Sequence, residues 1–377
     1  MTQPALRGPR PSSARPSARG LEAPHRRRPP GSRLVERSAV VAYRAASALI
    51  GRLPAAPARF VIGLGAQVSY LAWPSKRRGS NANFGHVLGL PPDHPDVRRL
   101  ALAAYREYAR YLVELMQLPR LPPSAAGRLL PTIDLDAVEP IWRESRGGLI
   151  FAVGHVGNNE AVAAGIASRG WPISVVADDT SFPELYEDFR RLRATWGIRL
   201  IPWRKLRDIY GVLRRREMLG LLVDWGYRED GVPVRLLGSW TTLPSGPATL
   251  AAKTGSRILP VVIRRTGEWR FHAEYTGVIE AASAEPAEIR RVTQAIADAL
   301  GAAIAAAPHQ WYSFKSIWPP TAEEAETLER RAADMDRQAS GPADRDGADG
   351  AGADGAGADG ADGAGADRVH PAEAPSP

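Results

Sequence analysis

The chain of 377 residues carries 49 lysines and arginines against 41 aspartates and glutamates, a formal net charge of +8, and no cysteine. The missing cysteine excludes disulfides, thiolate metal sites and a thiol nucleophile. The basic balance suits an anionic partner, either a phospholipid surface or nucleic acid, with an arginine-favouring GC-rich genome as the bland alternative.

Residues 1–35 are rich in proline and hold eight of the chain's arginines by position 33, with almost no aliphatic side chains. This composition predicts a disordered basic segment. It lacks the continuous apolar core and small-residue cleavage site of a targeting peptide. From Leu34 to about Leu121 the pattern is helical, and 36–122 is assigned to an N-terminal helical annex expected to dock on a membrane. Val40, Val41, Tyr43, Ala46, Leu49 and Ile50 recur at helical spacing and stop at Gly51-Arg52-Leu53-Pro54. The next segment, Phe60 to Trp73, is apolar nearly all round but too short to span a bilayer. It reads either as an interfacial helix, with Tyr70 and Trp73 at headgroup depth and Lys76, Arg77 and Arg78 on phosphate, or as a core helix followed by a solvated basic turn. A third helix is predicted over Val97–Met116.

From Gly148 onward, apolar runs at 148–153, 173–177, 199–202, 219–223 and 258–263 alternate with helical stretches at 160–169, 183–196, 205–216 and 246–254. Trp269 to Glu280 reads as a hairpin partner of 258–265, and an alanine-rich helix over 286–306 closes the unit. The alternation predicts an α/β fold: a mostly parallel or mixed central sheet flanked by helices, over residues 123–332. Residues 333–377, dominated by Ala-Asp-Gly repetition, read as a flexible acidic tail.

The most informative stretch is Gly154-His155-Val156-Gly157-Asn158-Asn159-Glu160, between the first strand and the helix after it. A histidine on a strand-to-helix turn faces a cleft and has the chemistry of a general base. A carboxylate five residues on can orient the ring and stabilise its cation. His155 and Glu160 are therefore the candidate catalytic pair, with the bland alternative of a satisfied loop histidine and a surface glutamate. The backbone N–H groups of Gly157 and Asn158, at a helix N-terminus, are candidate oxyanion donors. Asp224 reads equally as a strand-end turn residue or a second acid. Arg190 and Arg193, three apart on a helix, either bind phosphate or are solvated. Ser245 and Gly246 open a helix, which capping explains and anion binding could add to.

These residues resemble the bacterial lysophospholipid acyltransferase superfamily. Within it, they resemble the lauroyl or myristoyl acyltransferases of lipid A assembly and the actinobacterial phosphatidylinositol mannoside acyltransferases. The heptapeptide is similar to the family's His-x4-Asp/Glu motif, with Asn159 where tryptophan is usual. The blocks Val175-Val-Ala-Asp178, Phe189-Arg190-Arg191-Leu-Arg193, Leu221-Leu-Val-Asp224-Trp225-Gly226, Pro244-Ser245-Gly246-Pro247 and Gln310-Trp311-Tyr312-Ser-Phe314-Lys315 follow in family order.

The resemblance implies that His155 deprotonates an acceptor hydroxyl, which attacks an acyl thioester, with Glu160 completing the relay. It implies no cofactor, acyl-CoA or acyl carrier protein as co-substrate, and membrane lipid and a glycolipid acceptor as partners. The expected protein is a monomer bound peripherally to the cytoplasmic face of the membrane. The acceptor expected is a phosphatidylinositol mannoside, with a lipid A type acceptor or a non-catalytic lipid-binding protein as alternatives. No metal site is expected, because the seven histidines are scattered and form no ligand set. No Gly-x-Ser-x-Gly elbow supports serine hydrolysis, and only net charge speaks for nucleic acid, so none is expected as a partner.

Overall fold

The computed structural model of the chain describes residues 32–121, 135–180 and 182–338. Of the two stretches assigned to disorder, 1–35 and 333–377, residues 1–31 and 339–377 lie outside them. Helix α1 (Ser32–Ile50) starts slightly before the boundary expected at 36, and the last helix, α11 (Ala322–Arg337), runs past the boundary at 332. Thr321 caps α11 by accepting a hydrogen bond from the Glu324 N–H at 3.2 Å. Leu328 and Ala332 bury its inner side.

Helices α1, α2 (Ala55–Ala72), α3 (Pro74–Leu88) and α4 (Pro95–Gln117) form the N-terminal layer. Lys76, Arg77 and Arg78, read as a basic turn in the core-helix alternative, instead lie in the first turns of α3. Pro74 occupies its first helical position, where a missing N–H costs nothing. The inner face of α4 follows the 3.6-residue repeat: Val97, Ala101, Ala104, Tyr105, Ala109, Val113 and Met116 are buried.

The central sheet comprises β1 (Leu149–Val153), β2 (Ile173–Ala177), β3 (Ile198–Pro202), β4 (Met218–Leu222), β7 (Arg257–Gly267) and β8 (Arg270–Tyr275), in the order β3-β2-β4-β1-β7-β8. All neighbours are parallel except β7 and β8. Strands β5 (Val232–Leu236) and β6 (Ser239–Leu243) form a separate hairpin. Its two-residue turn, Leu237-Gly238, has both φ angles positive, as the twist of a tight hairpin requires.

Side-chain alternation sorts the sheet into two faces. Leu149, Phe151, Met218 and Leu259 pack towards α5 (Leu135–Glu144) and α6 (Asn159–Ser168), with α7 (Pro183–Thr195) alongside. Ile150, Ala152, Leu219 and Ile258 pack towards α8 (Leu206–Arg214), α9 (Gly246–Thr254) and α10 (Pro286–Ala306). Strands buried on both faces need apolar residues at every position, which is why β1 reads Leu-Ile-Phe-Ala-Val without alternation.

The chain leaves β1 through α6 on one face and leaves its neighbour β4 through β5, β6 and α9 on the other. The carboxyl ends of β1 and β4 are thus a topological switch point, where open α/β sheets place ligands. Among the described residues no helix is long and apolar enough to cross a membrane.

Candidate active site

His155 and Asp224 emerge from this switch point. Val153 of β1 pairs with Leu222 of β4, and the Val223 N–H still donates to the Val153 carbonyl at 3.0 Å. Two residues further along each strand, His155 Nδ1 lies 2.7 Å from Asp224 Oδ1, and the His155 backbone N–H donates to Oδ2 at 2.9 Å. Trp311 Nε1 also donates to Oδ2, at 2.9 Å. A carboxylate can only accept, so Nδ1 carries the proton of the neutral ring and Nε2 keeps its lone pair.

The Asp224 side chain is fully buried, whereas that of His155 is 37% exposed. Burial works against the imidazolium, but the charge and hydrogen bond of Asp224 outweigh it, and the His155 pKa stands above its ordinary value. Lys315 opposes that rise. Asp224 is held below the usual aspartate range: burial pushes it up, and His155, the backbone N–H and Trp311 together push it further down.

The loop carrying His155 is fixed by its backbone. Val156 and Trp311 form an antiparallel bridge, the Tyr312 N–H donates to the His155 carbonyl at 2.8 Å, and the Gly157 N–H donates to the Gln310 carbonyl at 3.1 Å. Gly157 has φ of 67°, and a Cβ there would lie 2.6 Å from the Ile263 carbonyl oxygen. Only glycine fits. Asn158 then caps α6, its side-chain oxygen accepting from the Ala161 N–H at 3.1 Å.

Behind the loop lies a buried charge network. Arg265 of β7 donates to Glu114 of α4 through Nε at 2.9 Å and Nη2 at 2.7 Å, and to Glu107 through Nη1 at 2.7 Å. Asn158 Nδ2 donates to the same Glu114, at 2.8 Å. The N-terminal helices therefore buttress the loop that carries His155.

A cavity of about 570 Å³ opens beside His155, between the sheet and helices α6 and α7. Its walls are largely apolar: Phe151, Val153, Ile173, Val175, Leu200, Leu222 and Val261 from the strands, and Val162, Ala163 and Ile166 from α6. Such a volume suits a single elongated apolar ligand. Trp225 stands edge-on to His155, with ring centroids 6.3 Å apart, and Lys315 Nζ lies 4.5 Å over the Trp225 ring.

The model of the bacterial lipid A biosynthesis acyltransferase family matches residues 29–319. The chain belongs to this family. It is 29% identical over 283 residues to a phosphatidylinositol mannoside acyltransferase of Mycolicibacterium smegmatis, covering 73% of this chain and 90% of that protein. It is 26% identical over 323 residues to a phosphatidylinositol mannoside acyltransferase of Mycobacterium tuberculosis, covering 83% of this chain and 98% of that protein. The protein is an acyltransferase of α/β fold, as the ordered motifs led one to expect.

Against that identity, several residues singled out from the sequence occupy other roles. Glu160 does not hold the His155 ring. It lies in the first turn of α6 and pairs with Arg193 of α7, which donates through Nε at 2.9 Å and through Nη2. Both side chains are nearly buried, at 13% and 15% exposure, and both line the cavity. Asp224, read as either a turn residue or a second acid, is the carboxylate on the ring.

The Gly157 N–H is taken by Gln310 and is therefore not an oxyanion donor, while Asn158 is buried as the α6 cap. Arg190 is exposed and bound to Glu187 at 2.8 Å, and the Arg193 charge is matched by Glu160, so neither is a ready phosphate site. Ser245 makes no side-chain capping bond to α9, and neither it nor Gly246 lines the cavity.

No tryptophan stands out in the sequence as a site residue. Trp311, fully buried, nevertheless supplies the third hydrogen bond to Asp224. Its place in the block Gln310-Trp311-Tyr312-Ser-Phe314-Lys315 is a sequence signal, but its partner lies 87 residues away in the chain.

Proposed function

We propose that this acyltransferase moves a long acyl chain from a thioester donor, acyl-CoA or acyl carrier protein, to a hydroxyl of a glycolipid of the phosphatidylinositol mannoside class. The observation that carries the reading is the His155–Asp224 pair at the mouth of an apolar cavity: a general base beside a slot for hydrocarbon. The acceptor class rests on the two mannoside-acylating relatives.

In this mechanism Nε2 of His155 takes the proton as the acceptor oxygen attacks the thioester carbonyl. The tetrahedral intermediate collapses, the C–S bond breaks, and the departing thiolate takes the proton back from the imidazolium. Asp224 holds the tautomer and stabilises the transient cation. The thioester is already activated, so no acyl-enzyme is needed.

The same reading places the enzyme peripherally on a membrane. Phe60, Val61, Leu64, Val68, Leu71 and Trp73 of α2 and its end are exposed, Phe60 by 73%. Phe60, Val61, Leu64, Val68 and Leu71 fall on one side of the helix at spacings of one, three, four and three residues, Trp73 follows at its end, and Lys76, Arg77 and Arg78 come next. An exposed apolar stripe ending in cations suits anionic headgroups.

The test is direct. Purified enzyme with labelled palmitoyl-CoA should acylate mannosylated phosphoinositides in preference to lipid A precursors, and His155→Ala should abolish the transfer. Labelling of neither panel by the wild-type protein would overturn the proposal.

A further inference from the structure

Gly220 occupies the middle of β4, buried between Phe151 of β1 and Val175 of β2. Central strands of parallel sheets favour large apolar residues, and glycine there weakens the strand and marks a close approach by something else. Two ordinary reasons for glycine fail at this position. Its φ is not positive. A Cβ built on it meets Val175 Cγ2 at 3.4 Å and the Ser174 carbonyl oxygen at 3.8 Å, which is ordinary contact. At Gly148, by contrast, a Cβ would fall 2.1 Å from the Glu217 carbonyl oxygen, so packing alone demands that glycine. The space over Gly220 is instead part of the cavity, which it lines.

The strand registers give the cavity a direction. Val153, Leu222 and Val261 form the row nearest His155, and Phe151, Gly220, Val175 and Leu200 form the next. Ile173, level with Met218, lies one row further on, beside Ile166 of α6. Rows two residues apart are about 7 Å apart along the strands. A hydrocarbon entering beside His155 must therefore cross Gly220 to reach the far wall.

We infer that Gly220 sets the acyl-chain length this enzyme accepts, by leaving the floor of the slot open between Phe151 and Val175. The inference rests on the proposed acyl transfer. A side chain at 220 stands in the second row and closes off the space around Ile173 and Ile166, so long chains lose their distal burial and short chains do not.

The experiment compares palmitoyl-, lauroyl- and octanoyl-CoA with one mannosylated phosphoinositide acceptor in wild type, Gly220→Ala and Gly220→Leu. Each buried methylene contributes enough that losing two or more costs at least about tenfold in kcat/KM. Gly220→Leu should therefore lose palmitoyl transfer by about tenfold or more while octanoyl transfer stays within about twofold, and Gly220→Ala should fall between. If Gly220→Leu does not fold, the Gly220→Ala comparison decides, since that methyl fits without a clash.

A parallel binding series with palmitate and octanoate separates the two levels of the argument. If wild type transfers nothing, the acyl-transfer reading fails. The slot inference then stands if palmitate binding alone is weakened by the substitutions, and falls if both ligands bind as before. Folded variants that keep the wild-type chain-length profile overturn it.

Discussion

Asp224 reaches His155 because both lie two residues beyond a register pair, Val153 and Leu222, on adjacent parallel strands. The 2.7 Å contact is thus set by strand order, and three donors hold the carboxylate in place: the ring Nδ1–H, the His155 N–H and the Trp311 Nε1–H.

Asp224→Asn should reduce acyl transfer about 10²- to 10⁴-fold, the range expected when a general base loses its tautomer and cation support. The pH profile should move as well. In the proposed mechanism activity requires neutral His155 and rises through its raised pKa, so removing the Asp224 charge should shift the acid limb of kcat/KM to lower pH. An unshifted limb would show that Asp224 does not govern the titrating base.

Lys315→Gln should move the same limb the opposite way. The lysine disfavours the imidazolium, and without it the His155 pKa should climb further, so the acid limb shifts to higher pH. Kinetics at matched ionic strength check the sign, and a downward shift would contradict it.

The pair also leaves a mark on stability. Because the folded His155 pKa is above the unfolded value of about 6.5, its contribution is fully present below that unfolded value and is lost as pH rises through the folded one. The stability difference between wild type and His155→Ala should therefore be larger at pH 5 than at pH 9. Denaturant titrations at several pH values would detect it, and a difference that grows with pH would refute it.

Glu160→Gln separates the sequence motif from the ring contact. It leaves Arg193 nearly buried without its partner, which should cost about 3–5 kcal/mol of stability. The acid limb should stay where it was, because Glu160 makes no bond to His155. Replacing Glu160 and Arg193 together by leucine and methionine should recover much of the loss. Denaturation midpoints and pH–rate curves of the three proteins provide the readout.

Phe60→Ser combined with Leu64→Ser and Leu71→Ser should weaken co-sedimentation with anionic vesicles about tenfold or more, since each exposed apolar side chain contributes on the order of 1.5–3 kcal/mol when buried in lipid. The melting temperature should barely change, because these side chains lie on the surface. Unaltered vesicle binding would remove the membrane assignment from α2.

Much of this fold was legible in one sequence, since apolar runs such as Leu149–Val153, uninterrupted, and Ile173–Ala177, broken only by Ser174, sit where the strands are. Hydrophobic periodicity failed where the buried face is polar. Helix α3 buries Ser80, Asn81 and Asn83, and Asn83 bonds the Ser313 and Lys315 carbonyls and the Ile317 N–H. None of this produces an apolar stripe. Helix α11 was hidden by its charge.

At the site, His155 could be singled out because its turn follows a readable strand. Its partner could not be fixed, because that β4 lies beside β1 is a fact of topology. Glu160 was close in the chain, and Asp224 is close in space.

The Arg265–Glu114–Asn158 network gives the N-terminal helices a second significance. A chain cut before β1 would strip Arg265 of both Glu107 and Glu114, and Asn158 of its acceptor, directly behind the loop that carries His155, so these helices are not a detachable anchor. Helix α2 packs on α4, so the surface contact proposed for α2 would be coupled through α4 to the residues around His155. On the proposed reading, membrane placement and the alignment of the base are then coupled through one buried network.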